Sequence, residues 1–392
     1  MRKIKICIFT GTRAEYGLLK PLIDELKTEK SVELQLIISG MHLSPEFGLT
    51  CKEIETEGIS KVEKVEMLLS SDTPIGISKS MGLGILSFSE VLDRLKPDLL
   101  IGLGDRFELF SAISAAMILR IPVAHLHGGE ATEGLIDEPI RHSITKMSHL
   151  HFASTDVFRR RIIQLGEHPS RVFNVGAIGI DSIKKMKFLT KSELEANLNF
   201  RIDKNTILVT FHPVTLENST AEKQFDNLLD VLRRKKQLRI MFTKPNADTD
   251  GRIIIKMIDE FVNDNIERSI SFVSLGQVRY LSSLKYIKCV VGNSSSGIIE
   301  VPSFNKATIN IGDRQRGRIK ADSVIDCGVT KKEIENAIET VFSKKFQATL
   351  MEVENPYELK DGFTSKKIKE IIISADLDNI LKKKFYNINQ IN

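Results

Sequence analysis

The amino-acid sequence predicts an α/β protein with two Rossmann-like domains that face each other across a cleft. Short apolar runs rich in β-branched residues alternate with amphipathic helical patterns, which is typical of parallel, doubly wound sheets. A polar helical stretch at residues 184–199 interrupts the alternation, which then starts again. A chain of 392 residues, 42% of them hydrophobic, is also long enough for two cores. We therefore expect domains at residues 1–176 and 177–365, with a C-terminal helix at about 366–384 that packs back on the first.

The individual elements follow from local apolar patterns. An apolar run at residues 4–9 leads through a turn at Gly11 into an amphipathic helix. Few periodic apolar residues between positions 43 and 80 predict that part of this segment is a mobile loop, and a helix is expected at 78–95. The lysine triplet 382–384 and the Asn-rich tail after it predict a frayed end. Further strands are expected at 32–39, 99–103, 121–125, 149–153, 172–175, 207–211, 238–243, 270–273, 289–291 and 307–311.

Composition and charge exclude several classes of protein. The net charge is only +5 and the basic clusters are interleaved with acidic residues, so they predict solvated faces and not a nucleic-acid surface. Four cysteines without CxxC spacing argue against a disulfide framework and against a zinc site. No uninterrupted apolar run approaches the roughly 20 residues that span a bilayer. We expect a soluble, cytoplasmic protein that uses no metal and no cofactor.

Charged and titratable residues are concentrated between positions 101 and 142, directly after two apolar strands. Ligands of open α/β sheets bind at the carboxyl ends of strands, where helix amino ends converge. These residues are therefore candidates for catalysis or binding, with ordinary loop and cap residues as the alternative. The candidates are Asp105, Arg106, His127, Glu130, Asp137, Glu138, Arg141 and His142.

A phosphate site is predicted at two helix starts. Arg13 follows the Gly11 turn, but the turn has neither a dinucleotide fingerprint nor a P-loop. In the second domain, a run of small hydroxyl residues that includes Ser294 and Ser295 precedes a helix expected to begin near Gly297. Free N–H groups and hydroxyls at such a start can bind a diphosphate, although a plain serine cap has the same pattern.

Other polar residues of the second domain follow its strands in the same way. Glu300, one turn into the expected helix, could accept hydrogen bonds from ribose hydroxyls. His212 and Asn246 come directly after two strands, and Arg314 lies in a Gly-flanked loop that contains three arginines. The predicted site in this domain therefore combines hydroxyl groups, an imidazole, an amide and a guanidinium, a set suited to an anionic ligand.

Several motifs, taken together and in this order, resemble a known family. GTRAEYGLLKPL, GDRFE, HLHGGE, DEPIRHSITKMSHLHF, FHPVT, VGNSSSGIIEVP and IGDRQRGR are similar to the hydrolysing UDP-N-acetylglucosamine 2-epimerases. These enzymes supply N-acetylmannosamine or a related diacetamido sugar to sialic and other nonulosonic acids. The resemblance runs from Lys3 to about Leu377. It implies a GT-B fold, with the nucleotide on the C-terminal domain and the sugar against the N-terminal one.

The resemblance also implies roles for matching residues of the first domain. Asp105 matches an acidic residue that the family uses in catalysis, with Arg106 beside it. The run from Asp137 to His142 matches the family pattern D-[DE]-x-x-R-H. Many members have Glu where this chain has His127, so His127 or the nearby Glu130 is expected to serve in its place.

For the nucleotide, the resemblance implies contacts from both domains. Arg13 is expected to approach the diphosphate, which Ser294 and Ser295 bind from the other domain. Glu300 is expected to hold the ribose. The phosphate and sugar side is expected to be lined by His212, Asn246 and Arg314.

The implied reaction is elimination of UDP to give a 2-acetamidoglucal, followed by addition of water with inversion at C2. It needs neither a metal nor a nicotinamide, and a homo-oligomer, dimer or tetramer, is expected. The same reaction on UDP-N,N'-diacetylbacillosamine, for legionaminic acid, is one alternative. Others are a GT-B glycosyltransferase, a non-hydrolysing epimerase, whose H-x-E-A-G-x-R pattern is absent, and a sugar-nucleotide binding protein without catalysis.

Overall fold

A computed structural model of the chain describes residues 2–69, 71, 73–132, 136–213, 220–245 and 251–388. The chain divides into two compact units. Unit 1 consists of Met1–Glu130, Asp137–Ser182 and Tyr357–Asn392, and unit 2 of Ala131–Ile136 and Ile183–Pro356. The strands are β1 (Ile4–Thr10), β2 (Val32–Ser39), β3 (Lys61–Val65), β4 (Leu99–Leu103), β5 (Val123–Leu126), β6 (Leu150–Ala153), β7 (Val172–Asn174), β8 (Thr206–Thr210), β9 (Arg239–Thr243), β10 (Ser269–Phe272), β11 (Cys289–Gly292), β12 (Ala307–Ile311) and β13 (Val324–Cys327).

Helices alternate with these strands along the chain. They are α1 (Arg13–Lys27), α2 (Cys51–Glu55), α3 (Pro74–Leu95), α4 (Phe107–Ile118), α5 (Asp137–Met147), α6 (Asp156–Gln164), α7 (Gly179–Lys185), α8 (Lys191–Leu198), α9 (Ala221–Arg234), α10 (Gly251–Asp264), α11 (Gly276–Tyr286), α12 (Ser296–Ile299), α13 (Lys331–Phe342), α14 (Lys344–Thr349) and α15 (Thr364–Ser374). Short 3-10 turns lie among them.

Each unit is built on one parallel sheet. The seven strands of unit 1 have the order β3-β2-β1-β4-β5-β6-β7, and the six of unit 2 have the order β10-β9-β8-β11-β12-β13. The central strands are buried on both faces, as parallel sheets covered by helices require. The predicted fold class, two Rossmann-like α/β domains, is confirmed.

Two edge strands were not predicted. β3 pairs with β2 inside the segment for which we expected a mobile loop, and β13 pairs with β12 at the edge of the other sheet. Edge strands are solvated on one side, so charged residues interrupt the apolar run that marks a central strand: lysine and glutamate in β3 and Asp326 in β13. The helix expected at 78–95 begins earlier, at Pro74, where Thr73 caps it by accepting a hydrogen bond from the Gly76 N–H group.

The helix α3 is 22 residues long and apolar enough, by length and composition, to cross a membrane. Its Phe88 and Leu92 are nevertheless fully buried in the core of unit 1, where α3 packs against α4. One face of α3 is therefore part of this core.

The C-terminal helix packs against α1 in unit 1. The Asp181 carboxylate accepts hydrogen bonds from the backbone N–H groups of Thr364 and Ser365, at 2.9 and 2.7 Å, and so caps the start of α15. The helix ends at Ser374, about ten residues earlier than predicted, because Ala375 adopts an extended conformation. Residues 375–388 form a non-helical tail.

Candidate active site

One buried arginine organises the carboxyl ends of β4 and β5 in unit 1. Arg141, on α5, forms an ion pair with the Asp105 carboxylate and a second one, at 3.0 Å, with Glu138. Glu138 in turn lies 3.2 Å from Nε2 of His142. Four of the predicted site residues are therefore in one connected network, and Asp137 opens the same helix.

The side chain of Arg141 is only 1% exposed, so its guanidinium faces protein groups. Besides the two carboxylates, it donates a 2.9 Å hydrogen bond to the backbone carbonyl of Glu130. This single side chain therefore joins the loop after β4, the loop after β5 and the start of α5. Within the part of the chain that the structure describes, no three His, Cys, Asp or Glu side chains are arranged to hold a metal ion.

His127 and Glu130 form a hydrogen-bonded pair. Nδ1 of His127 lies 3.0 Å from the Glu130 carboxylate, which also accepts a 2.8 Å hydrogen bond from Ser154. Nε2 of His127 accepts from the backbone N–H of Ile178 at 3.4 Å, so Nδ1 carries the proton. Glu130 is 2% exposed against 12% for His127, so the carboxylate lies behind the imidazole and orients it.

The turn that presents this pair is conformationally strained. His127 has a φ of 62°, in the left-handed region that non-glycine residues rarely adopt. Gly129 has a φ of 75°, and a Cβ atom there would lie 2.5 Å from the Phe158 carbonyl oxygen. Only glycine fits at this position, and a Cβ atom on Gly128 would lie 2.9 Å from Nδ1 of His125, which together explain the two glycines between the imidazole and Glu130.

A second buried histidine, His125, fixes the loop that carries Asp105. Burial lowers the pKa of His125 to about 3, although the Gly104 carbonyl raises it, so the ring is neutral. Its Nε2 donates to that carbonyl at 2.7 Å, and its Nδ1 accepts from Thr145 of α5 at 3.2 Å. His125 belongs to the HLHGGE motif, but its role could not be assigned from sequence because both partners are distant along the chain.

Two glutamates that were not predicted as site residues flank Arg106. The guanidinium of Arg106 donates to both oxygens of the fully buried Glu108, at 3.1 and 3.3 Å. Glu15 accepts hydrogen bonds from the N–H groups of Gly11 and Thr12, at 2.7 and 3.2 Å. Burial raises the pKa of Glu15 to about 7, with Arg106 lowering it and Glu108 raising it further. The GTRAE and GDRFE motifs therefore meet in one buried charge cluster.

Arg13 is the first residue of α1, as the sequence predicted for a group at a helix start. Its guanidinium is partly exposed and lies 3.0 Å from the Glu53 carboxylate, which is largely exposed. An exposed ion pair of this kind contributes little to stability and can be exchanged for another anion.

In unit 2, Asn293 holds the loop that carries His212. The Asn293 side chain accepts a 2.7 Å hydrogen bond from the N–H group of His212 and donates a 2.8 Å bond to its carbonyl. Asn293 is 1% exposed, and its own carbonyl accepts from Arg314 at 3.1 Å and from Gln315 at 2.8 Å. Asn293 thus connects the ends of β8, β11 and β12, and neither it nor Gln315 was singled out from sequence.

The helix predicted to begin near Gly297 is shorter than expected. Ser295 is the cap of α12, whose four residues end before Glu300, and a 3-10 turn follows. Glu300 is therefore the residue that follows this single turn, as its C-cap, and does not lie inside a longer helix. The Ser294 hydroxyl accepts a 3.4 Å bond from Ser296 N–H, and the Ser296 hydroxyl is hydrogen-bonded to half-buried Tyr280. Asn246 lies outside the described residues.

Comparison with known proteins identifies relatives of this chain. The family model described as UDP-N-acetylglucosamine 2-epimerase matches residues 24–373. The chain is 43% identical to a GDP/UDP-N,N'-diacetylbacillosamine 2-epimerase (hydrolyzing) of Campylobacter jejuni, over 99% of this chain and 100% of that protein. It is 38% identical to the polysialic acid biosynthesis protein P7 of Escherichia coli, over 98% of this chain and 97% of that protein.

A solved structure gives the same result for the fold. UDP-GlcNAc 2-epimerase from Neisseria meningitidis, bound to UDP-GlcNAc, superposes with a TM-score of 0.79 at 19% identity and covers 95% of this chain and 100% of that chain. The likeness at this identity concerns the fold, whereas the family model and the relatives identify the family. The chain therefore belongs to the UDP-N-acetylglucosamine 2-epimerase family and is an enzyme of its hydrolysing type.

Proposed function

We propose that this enzyme converts a UDP-linked, gluco-configured 2-acetamido sugar into UDP and the free manno-configured sugar. The observation that carries the proposal is the network around Arg141, which joins Asp105, Glu138 and the His127–Glu130 turn. A group of carboxylates with an oriented imidazole is suited to proton transfer at carbon, which this reaction needs twice.

In the first step a base removes the C2 proton, the C–H electrons form the C1–C2 double bond, and the C1–O electrons leave with UDP. In the second step an acid delivers a proton to C2 from the opposite face, and the hydroxide of water bonds to C1. The protons balance, because the base releases the C2 proton to solvent, the acid gives its own proton to C2, and the remaining proton of water regenerates the acid. No oxidation occurs in either step.

We assign the proton transfers to Asp105 and Asp137 on one side and to the His127–Glu130 pair on the other. The stronger exposure of His127 supports the imidazole as the group that meets the sugar, with Glu130 orienting it. Arg141, expected from sequence to bind the substrate, is assigned instead to holding the carboxylates, because its guanidinium is buried among them.

The leaving diphosphate is assigned to unit 2. Ser294, Ser295, His212 and Arg314 would donate hydrogen bonds to it, and charge developing on the leaving group would be stabilised by the guanidinium. Their support is the Asn293 network, which brings the ends of three strands together. Arg13 is assigned to phosphate binding, Glu300 to the ribose and Asn246 to the phosphate and sugar side, as the family resemblance implies.

Two sugars are candidates, and a specific observation favours each. The resemblance of the motifs points to UDP-N-acetylglucosamine, and the relative at 43% identity is named for N,N'-diacetylbacillosamine. Kinetic comparison of UDP-N-acetylglucosamine with its 4-acetamido-6-deoxy counterpart decides between them, as the sugar with the higher kcat/KM is the substrate.

Reaction in D2O tests the proposed chemistry. We expect free UDP and a free manno-configured N-acetylhexosamine that carries one deuterium at C2, observed by NMR. Simple glycosyl hydrolysis would give an unlabelled gluco-configured sugar, and a non-hydrolysing epimerase would leave the label on a sugar still attached to UDP. Either of these outcomes would refute the proposal.

We also infer that the enzyme works in the cytoplasm as a homodimer. Support for the dimer comes from apolar side chains on adjacent helices of unit 1, Ile75 and Leu86 on α3 and Ile118 on α4, which are 68–76% exposed. Light scattering on the purified protein should give twice the 44.1 kDa chain mass, and lysine in place of Leu86 and Ile118 should give the monomer. A monomeric wild-type protein would contradict this inference.

A further inference from the structure

The described part of the C-terminal tail of unit 1 is anchored, although a frayed end was predicted; residues 389–392 of the Asn-rich tail lie outside the described residues. Ile380 is buried in the core, and its carbonyl accepts a 2.8 Å hydrogen bond from Arg171. Farther on, the N–H group of Tyr386 donates to the Gly166 carbonyl at 2.9 Å. The tail is therefore attached on both sides of the lysine triplet 382–384.

Within the triplet, only Lys383 turns inward. Lys382 and Lys384 are exposed, whereas the Lys383 ammonium donates to the backbone carbonyls of Lys146 and Ser148 at 2.8 and 2.6 Å. It also lies 3.0 and 2.9 Å from the two carboxylate oxygens of Glu167. All the hydrogen-bonding capacity of this ammonium is thus directed at unit 1.

The two carbonyls belong to the carboxyl end of α5. A cation at this end satisfies terminal carbonyls and is favoured by the helix dipole. The amino end of the same helix, about 16 Å away for eleven residues, carries the proposed catalytic run from Asp137 to His142. The tail therefore contacts the carboxyl end of the helix whose amino end carries the candidate site.

Glu167 gives Lys383 a second connection to the site. Glu167 is almost fully buried and accepts from Lys146 at 2.6 Å and from His151 at 3.1 Å. Burial would raise the pKa of Glu167, but its hydrogen bonds with His151 and Lys146 outweigh burial and hold the pKa near 2. His151 on β6 is the strand partner of His125 on β5, which fixes the Asp105 loop.

We propose that Lys383 is a positioning residue, which aligns α5 and the β5–β6 ends so that the acidic groups and His127 are correctly placed for turnover. The proposal rests on the function proposed above for the residues of α5. Nothing in it requires Lys383 to touch the substrate.

The test compares K383M with K382M and K384M, which remove the same charge from exposed neighbours. We expect K383M to lower kcat by about tenfold or more, since a misplacement of ~1 Å can cost ~10²-fold. The Kd for UDP, measured by calorimetry, should not change, because most of the groups assigned to the diphosphate belong to unit 2. K383R keeps a cation at the helix end and should recover part of kcat, and both control variants should match the wild type.

Wild-type kcat in K383M, or an equal loss in K382M and K384M, would overturn the proposal. So would a parallel loss of UDP binding, since that would indicate general unfolding. If K383M does not fold, as judged by circular dichroism, the milder K383Q is measured in the same way. D137N distinguishes failure of the proposed function from failure of the proposal for Lys383. An active D137N refutes the assigned function of α5, whereas an inactive D137N with a fully active K383M refutes only the role of Lys383.

Discussion

Replacing Asp105 by Asn tests the centre of the candidate site. The change removes a proton-transfer group while it preserves the size of the side chain. It also removes one of the two carboxylates that neutralise the buried guanidinium of Arg141. The structure therefore predicts an effect on stability together with the effect on turnover.

The two effects can be estimated separately. Breaking a buried ion pair costs about 3–5 kcal/mol when the remaining charge is left without a partner. Arg141 keeps Glu138 and the Glu130 carbonyl, and the Asp105 side chain is 22% exposed. We therefore expect the smaller loss of a hydrogen bond to a charged group, about 1.5–3 kcal/mol of unfolding free energy. The loss of a general acid or base should lower kcat by about 10²–10⁴-fold.

The assays are urea unfolding for stability, UDP release for kcat and calorimetry for UDP affinity, which should stay at the wild-type value. D361N, which changes an exposed aspartate of the same unit, is the matched control. A D105N enzyme whose kcat falls by less than ~10²-fold would refute the catalytic assignment. Unchanged stability would refute the reasoning about Arg141 and leave the assignment of Asp105 intact.

Three further changes test other parts of the site. S294A combined with S295A should weaken UDP binding by about 1–3 kcal/mol for hydrogen bonds to a charged ligand, measured by calorimetry, and unchanged affinity would place the diphosphate elsewhere. N293L removes both hydrogen bonds that Asn293 makes to the backbone of His212, each worth about 1–3 kcal/mol, whereas N293D keeps an acceptor for the N–H group. N293L should therefore destabilise unit 2 more than N293D, and the reverse order in urea unfolding would contradict the proposed role of Asn293. Glu15 has a folded-state pKa raised to about 7 from 4.5, so its contribution to stability is present below pH 4.5 and is lost as the pH rises through 7. E15Q should remove that part of the pH dependence, which is measured as the difference in unfolding free energy between pH 5 and pH 8. If this difference is the same in wild type and E15Q, the raised pKa of Glu15 makes no contribution and the prediction is wrong.

Much of the fold could be predicted from the sequence because its information is local. Apolar runs at residues 32–39, 99–103 and 307–311 predicted three strands with the bounds that the structure has. Because these strands are buried on both faces, their apolar runs are continuous, and the length and composition of such a run are enough to predict a strand. The strands β3 and β13 escaped prediction because an edge position needs no such run.

The candidate residues were found for a related reason. In a parallel sheet, polar residues that directly follow apolar strands come to one edge, so Asp105, His127 and His212 could be proposed before any coordinates. Sequence alone therefore determined which residues to consider, and the resemblance of their motifs gave the expected reaction. It could not determine which of them would be partners.

Partnership was decided by the tertiary structure, because it depends on contacts between residues far apart in the chain. Arg141 meets Asp105 across 36 positions, Asn293 meets His212 across 81, and Lys383 meets Glu167 across 216. The local pattern of apolar and polar residues does not encode such pairs. The burial of each pair then determines whether its charges contact solvent or other protein groups. A charge that is removed from water needs a partner within the protein. Arg141, predicted to contact the ligand, is therefore paired with two carboxylates, and Lys383, expected on a solvated surface, is bonded to the carboxyl end of α5.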